Sequence, residues 1–224
     1  MIETNGEVDN FERNYCENRG RVIIMLEKMI SDARKVDDYI QNMHFENEVI
    51  TDADFSKVEF ESVQFVKCQF IKCSFSKDSF YNVVFKNCIL SNCIFTESYW
   101  RKSKILECKS DGSNFSQSCF KQVTILDSSL CYANCANTAW KESTISNCKF
   151  KESFLSEVKF QKLELNAVDF QRGDFFKTSL RGIDLSDCII DEITVSETFN
   201  ELKGAKINAV QAVGIAQRLG MKIV

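Results

Sequence analysis

Residues 68–88 read CQFIKCSFSKDSFYNVVFKNC, with a phenylalanine at every fifth position. A helix presents one face every 3.6 residues and a strand every two residues, so a period of five is typical of neither. Sampling every fifth residue over 45–195 gives 31 positions, and 29 of them are Phe, Leu, Ile, Val or Trp. The two exceptions are Ser110 and Cys135. This period therefore governs most of the chain and decides its fold.

A second register lies two residues before each large residue and holds small or modest side chains such as Ala53, Cys68 and Ser113. The other three positions of each five are largely polar. A chain that turns a corner every five residues would point one large and one small side chain inward on each side. Four sides would close a coil, and coils stacked about 4.8 Å apart would pair their backbones and align the large residues in four ladders. One predicted ladder contains Phe55, Phe75, Phe95, Phe115, Cys135, Leu155, Phe175 and Val195.

Several five-residue segments resemble the repeat unit A-(D/N)-L-x-x of pentapeptide-repeat proteins. Examples are ADFSK at 53–57, VDFQR at 168–172 and IDLSD at 183–187. The resemblance implies an all-β solenoid, the right-handed quadrilateral β-helix. We predict this β-helix over residues 45–200, in nearly eight coils without loop insertions, with an N-terminal α-helix before it and a short C-terminal α-helix after it.

The N-terminal part, residues 1–44, has a different period. Apolar residues spaced alternately four and three apart are typical of a heptad seam on one helix. The seam comprises Val22, Leu26, Met29, Ala33, Val36, Ile40 and Met43. Such a helix could cap the β-helix, associate with itself or bind a partner.

The C-terminal part, residues 201–224, predicts a helix over about 209–219. Asn208 is a suitable N-cap with Gln211 three residues on, and Gly220 lies where the helix would end. This tail resembles the C-terminal end of Qnr-type (quinolone-resistance) pentapeptide-repeat proteins. The resemblance implies that the tail caps the β-helix and forms a two-fold homodimer. The candidate dimerisation residues are Ala209, Val213, Ala216, Leu219 and Met221.

Composition narrows the class of protein. The net charge of −4 and pI near 5.3 give no whole-chain signal for direct nucleic-acid binding. No apolar run reaches the ~18 residues of a membrane span, and the start MIETNGEVDNFERNY lacks the features of a signal peptide. We expect a cytoplasmic protein with reduced cysteines.

No motif in the sequence indicates catalysis, a metal or a cofactor. Of the eleven cysteines, seven lie in the small register and Cys135 in the large one, which favours core filling over zinc binding. His44 is the only histidine, and no phosphate-binding glycine motif is present. We expect a protein that is not an enzyme. Asp78 occupies a small inward position, where we expect it to distort its corner or to bond to backbone amides.

Acidic residues are concentrated near the end of the repeats, since residues 163–200 contain eight acids and three bases. The resemblance to Qnr-type proteins implies that such acids imitate DNA phosphates and bind a type II topoisomerase, DNA gyrase or topoisomerase IV. Binding would give resistance to quinolones or another gyrase poison. The candidate partner-binding residues are Glu164, Asp169, Asp174, Asp184, Asp187, Asp191, Glu192 and Glu197.

Two observations leave alternatives open. Aspartates just before a large residue could simply suit the corners of the repeat. The central residues 98–162 contain ten bases and six acids, a charge that would repel a DNA-binding groove. The alternative function is a structural or scaffolding rod that binds an unrelated protein through its N-terminal helix or basic centre.

Overall fold

The structure, a computed structural model, describes residues 28–30, 32 and 39–224. Residues 28–30 and 32 are helical. A 3-10 turn at Asn200–Leu202 and helix α1 at Ala209–Arg218 follow the strands. The strands are β1 Tyr39–Gln41, β2 His44–Glu46, β3 Val49–Thr51, β4 Glu59–Glu61, β5 Gln64–Val66, β6 Gln69–Ile71, β7 Ser79–Tyr81, β8 Val84–Lys86, β9 Tyr99–Arg101, β10 Lys104–Leu106, β11 Cys119–Lys121, β12 Thr124–Leu126, β13 Ala139–Ser146 and β14 Lys159–Asn166.

The strands form a parallel β-solenoid with four sides, which confirms the predicted fold. We name the sides one to four after the large residues of the first coil, Ile40, Phe45, Ile50 and Phe55. Each rung pairs with the residue twenty positions later, as in Phe60 with Phe80. Side one contains β1, β4, β7, β9, β11, β13 and β14, and side two contains β2, β5, β8, β10, β12 and the later parts of β13 and β14. Sides three and four continue mainly as single parallel bridges.

The large residues stack in ladders through the core, as the period predicts. On side four the ring centroids are 4.7 Å apart between Phe55 and Phe75 and 4.9 Å apart between Phe75 and Phe95. On side one the rings of Phe120 and Trp140 are 3.9 Å apart. Stacked aromatic rings bury large apolar areas, so these ladders supply most of the hydrophobic stabilisation of the rod.

The small inward residues do more than fill space, because their polar atoms bond to buried backbone groups. The Ser103 hydroxyl donates to the Phe80 carbonyl (3.0 Å) and accepts from the Val83 amide (3.0 Å). The Cys108 thiol donates to an equivalent carbonyl one coil earlier. Asp78 uses the same position, with its carboxylate accepting the Val58 amide at 3.0 Å. The expectation that Asp78 bonds to backbone amides is therefore confirmed.

Corner residues adopt a left-handed backbone at every fifth position from 42 to 182. Most are not glycine, so each carries a small conformational cost. Their amides donate to the next coil, as Lys67 does to the Lys86 carbonyl at 2.8 Å and Asn87 to the Leu106 carbonyl at 2.9 Å. These bonds along the axis offset the cost of the corners.

The solenoid begins earlier than the predicted boundary between residues 44 and 45. Ile40 lies in β1, which pairs with β4, and its side chain is buried in the core. Met43 packs against the same core. Both residues fit the five-residue register as well as the heptad, and in the structure they belong to the first coil of the solenoid. Of the remaining seam, Met29 is helical. Val22, Leu26, Ala33 and Val36 lie outside the described residues.

Candidate protein-binding surface

The eight candidate acids are distributed over three sides of the solenoid. None of them lies on side one. Glu164, Asp184 and Asp187 are on side two, Asp169, Asp191 and Glu192 on side three, and Asp174 and Glu197 on side four. The acids therefore wrap the last coils as a band rather than forming a single stripe along the rod.

Three of the eight acids also hold the local backbone. The carboxylates of Asp169, Asp174 and Asp184 each accept the amide two residues later, at 2.9–3.0 Å. The hydroxyl and amide of Ser186 hold the pKa of Asp184 below its ordinary value. Asn114 makes the same local bond elsewhere in the rod. The corner role that the repeat suggested for these aspartates is therefore real.

Ion pairs further separate the acids into two groups. Asp169 lies 3.1 Å from the Lys151 ammonium and Asp184 lies 3.8 Å from that of Lys206. Within residues 39–224, no base lies within ion-pair distance of the other six acids. One of the six, Asp174, is half-buried, and we call the remaining five, which are exposed to solvent, the terminal acids. The terminal acids are Glu164, Asp187, Asp191, Glu192 and Glu197.

Helix α1 is fixed against the last coil by polar contacts. Asn208 and Gln211 form a reciprocal capping box, and the Gln211 amide also donates to the carbonyls of Leu185 (2.8 Å) and Cys188 (2.7 Å). At the other end, the Arg218 guanidinium donates to the Ile193 carbonyl. Gly220 has a φ of 83° and its amide bonds to Gln217, which ends the helix as predicted.

The outer surface of the tail is apolar. Of the candidate dimerisation residues, Ala209, Val213, Leu219 and Met221 are exposed and Ala216 is half-buried. Sequence reasoning missed Val210, which is 81% exposed. Ile223 and Val224 are exposed as well. Several exposed apolar residues in one short segment are typical of an interaction site.

Glu201 is a buried acid that sequence reasoning also missed. Its carboxylate accepts the amide of Lys177 (3.0 Å) and both the amide and the hydroxyl of Ser196. Burial raises the pKa of this carboxyl, but the hydrogen bonds from Ser196 and Lys177 outweigh it and leave the pKa below its ordinary value. Glu201 thus ties the tail to the last coils.

Much of the basic charge of the central coils lies on side one. Arg101, Lys121 and Lys141 occupy successive rungs of the same register. Arg101 and Lys102 also lie over the ring of Tyr81, at 5.5 and 5.7 Å from its centroid. These bases are far apart in the linear sequence. Their spacing of twenty residues, which is the length of one coil, is the signal from which the grouping could have been predicted.

The cysteines of the described chain are all free thiols, and most are buried in the core. Burial raises the pKa of Cys93 and of Cys135 to about 12. In the described residues no three His, Cys, Asp or Glu side chains are grouped as a metal ion would need. None of the helical segments described has the length and apolar character of a membrane span.

No family model and no curated protein sequence matches the chain. Among solved structures, full-length QnrB1, a plasmid-mediated fluoroquinolone resistance protein, is similar at 19% identity and a TM-score of 0.46, with 82% of this chain and 100% of that chain covered. The pentapeptide-repeat protein Rfr23 from the cyanobacterium Cyanothece 51142 is similar at 9% identity and a TM-score of 0.36, with 56% and 87% covered. HetL, a pentapeptide-repeat protein involved in heterocyst differentiation regulation from Nostoc sp. strain PCC 7120, is similar at 12% identity and a TM-score of 0.28, with 74% and 87% covered.

The fold of the chain follows from its own geometry. Each side of the solenoid carries one large and one small inward residue, and every side ends in a corner after five residues. That arrangement gives the chain the four-sided β-helix of pentapeptide-repeat proteins.

Proposed function

We propose that this chain is a non-enzymatic, DNA-mimicking rod that binds a type II topoisomerase, DNA gyrase or topoisomerase IV, and lowers sensitivity to quinolones or another gyrase poison. The observation that carries the proposal is the band of terminal acids, five exposed carboxylates without ion-pair partners in the described chain. A groove that binds DNA is basic, so unpaired carboxylates on a narrow rod are complementary to it.

The exposed apolar residues of the tail support a homodimer, in which the negative charge of this band would be larger. Residues 163–200 carry eight acids and three bases, a net charge of −5. A two-fold contact through Val213, Leu219 and Met221 would bring the acidic ends of two copies together. Val213→Asp with Leu219→Asp is expected to convert the dimer to a monomer in light scattering after size exclusion, with Ile89→Asp as a control on an exposed apolar residue far from the tail.

A supercoiling assay with purified gyrase and ciprofloxacin tests the function. The protein at micromolar concentration is expected to inhibit supercoiling or to rescue it from the drug. Reversing Asp187, Asp191 and Glu192 to lysine is expected to abolish the effect. A matched control reverses Glu59, Glu61 and Glu107, which lie away from the tail, and is expected to retain it. Absence of any effect of the wild-type protein would rule out the proposal.

A second candidate function has its own observation in the bases of side one. Arg101, Lys121 and Lys141 form a continuous basic row that no DNA mimic requires. This row favours a scaffolding rod that binds an unrelated acidic protein. If the wild-type protein leaves gyrase unaffected, binding to polyglutamate that is lost on reversing Arg101 and Lys121 to glutamate would support this candidate.

A further inference from the structure

The solenoid opens on two of its four sides near its C-terminal end. On side three the ladder of backbone bridges continues without a break through Lys149, Asp169 and Ile189. On side four it continues through Phe154, Asp174 and Thr194. On sides one and two the ladders stop at β14, whose one strand partner within the described part of the chain is β13. Within residues 39–224, no backbone hydrogen bond joins β14 to residues 179–187. One edge of an eight-residue strand is therefore left open.

The coil after β14 keeps its bonds on the side that faces the tail. The amides of Leu180 and Leu185 donate to the carbonyls of Glu201 (2.8 Å) and Lys206 (2.9 Å), so the missing bonds are those toward β14. The corner before the opening is still closed, because the Thr178 hydroxyl accepts an amide of the previous coil. The series of left-handed corners is also interrupted here, since residue 187 lacks a positive φ, whereas the next corner, Glu192, has a φ of 58°.

The register shows which groups the open edge presents. In the body of the rod, the amide of a large residue donates to the next coil, as Phe70 does to the Ile89 carbonyl at 2.8 Å. The equivalent amides of β14 are those of Phe160, Leu165 and the corner residue Lys162. An open strand edge of this kind is a template for pairing with an additional strand.

A cleft of about 620 Å³ lies beside this edge and gives the site its chemistry. Three basic residues line it, Lys159, Lys177 and Arg181. The only acid in the lining, Glu157, is paired with Lys177 at 3.5 Å. Phe160 also lines the cleft and is only partly buried, unlike the other phenylalanines of the ladders. The cleft thus combines an apolar floor with an excess of positive charge.

We propose that this cleft binds an extended, acidic segment of a partner protein as an additional β-strand beside β14. Backbone pairing requires alternating N–H and C=O groups, which a peptide has and a nucleic acid lacks. Carboxylates on the segment would face Lys159 and Arg181, and an apolar side chain would cover Phe160. The proposal does not depend on the identity of the topoisomerase target, because none of the terminal acids lines the cleft, although Glu164 lies farther along β14.

The test uses the full chain and a short fluorescent peptide of alternating glutamate and valine, measured by fluorescence anisotropy. We expect binding, and we expect the variant Lys159→Glu with Arg181→Glu to weaken it by about tenfold or more. The matched control, Lys72→Glu with Lys86→Glu, makes the same charge change at exposed residues away from the cleft. It is expected to bind the peptide nearly as well as the wild type.

Two further probes separate strand pairing from simple charge attraction. A peptide with proline in place of alternate valines, and an oligothymidylate strand, are both expected to bind at least tenfold more weakly than the parent peptide. Hydrogen exchange is expected to slow at Phe160, Lys162 and Leu165 when the parent peptide is added. Failure to bind, equal binding of the proline peptide or the oligonucleotide, or slowed exchange confined to other residues would overturn the proposal.

Discussion

The body of the rod and its C-terminal end satisfy the same backbone groups in different ways. In the body, the backbone of each coil bonds to the backbone of the next coil. Hydroxyls and thiols of the small inward residues bond to further buried backbone groups. At the end, these bonds are transferred to the tail through Glu201, Gln211 and Arg218. The repeat therefore forms a regular body whose coils are bonded to one another. The terminal acids, the exposed apolar residues of the tail and the open strand edge all occur where the repeat ends.

The largest expected effect is in the body. Phe75 is fully buried and stacks on rings in the coils on either side of it, so Phe75→Ala is expected to lower the free energy of unfolding by about 3–5 kcal/mol. Phe160→Ala, at the open edge, is expected to cost only about 1–2 kcal/mol because the side chain is already partly exposed. Urea unfolding measures the free energy of unfolding of both variants. Equal decreases in the two variants would contradict the proposed difference between the body and the end of the rod.

The next effect concerns the attachment of the tail. Gln211→Ala removes the donor to two buried carbonyls and half of the capping box, so the docking of α1 is expected to weaken by about 1–3 kcal/mol. Hydrogen exchange of α1 would then speed up while exchange in the body stays unchanged. Gln217→Ala, on the exposed surface of the same helix, is the control and is expected to leave α1 as it is.

Acid is expected to loosen the end before the body through Glu201. Because its folded pKa lies below the ordinary value of about 4.3, its stabilising contribution is complete above that pH and is lost as the pH falls through the lower folded pKa. The advantage of the wild type over Glu201→Gln in urea unfolding should therefore shrink as the pH is lowered below about 5. An advantage that stays constant down to pH 2 would show that the charge of Glu201 is not what matters.

The smallest expected effect concerns a buried hydroxyl in the body of the rod. The Ser110 hydroxyl is buried and has no hydrogen-bond partner in the described structure, so Ser110→Ala is expected to leave stability unchanged or raise it by up to about 1 kcal/mol. Ser98 is the matched control, since its hydroxyl donates to the Phe95 carbonyl and accepts the indole N–H of Trp100. Ser98→Ala is expected to destabilise, and thermal unfolding distinguishes the two.

The sequence allowed the body to be predicted more fully than the end. The period of five fixed the four sides, the stacking of Phe75 and the inward place of Asp78, because each is a repeated local pattern. The open edge could not be predicted, since Leu165 and Leu185 keep the register on both sides of the break. What differs there is the set of backbone bonds between β14 and residues 179–187, whose absence from the described structure leaves no mark in the repeat pattern.

The start of the solenoid shows a related limit of sequence reasoning. Ile40 and Met43 satisfied two periods at once, and only the pairing of β1 with β4 decided between them. The terminal acids lie close together in the sequence, but their distribution over three sides could be seen only from the coil geometry.

Competition between this protein and DNA for gyrase distinguishes DNA mimicry from other modes of binding. Labelled duplex DNA bound to purified gyrase would be titrated with the wild-type protein, with the Asp187, Asp191 and Glu192 reversal, and with the matched reversal of Glu59, Glu61 and Glu107. The account predicts that the wild type and the matched control displace the DNA and that the terminal reversal does not. Equal displacement by all three proteins, or none by the wild type, would contradict it.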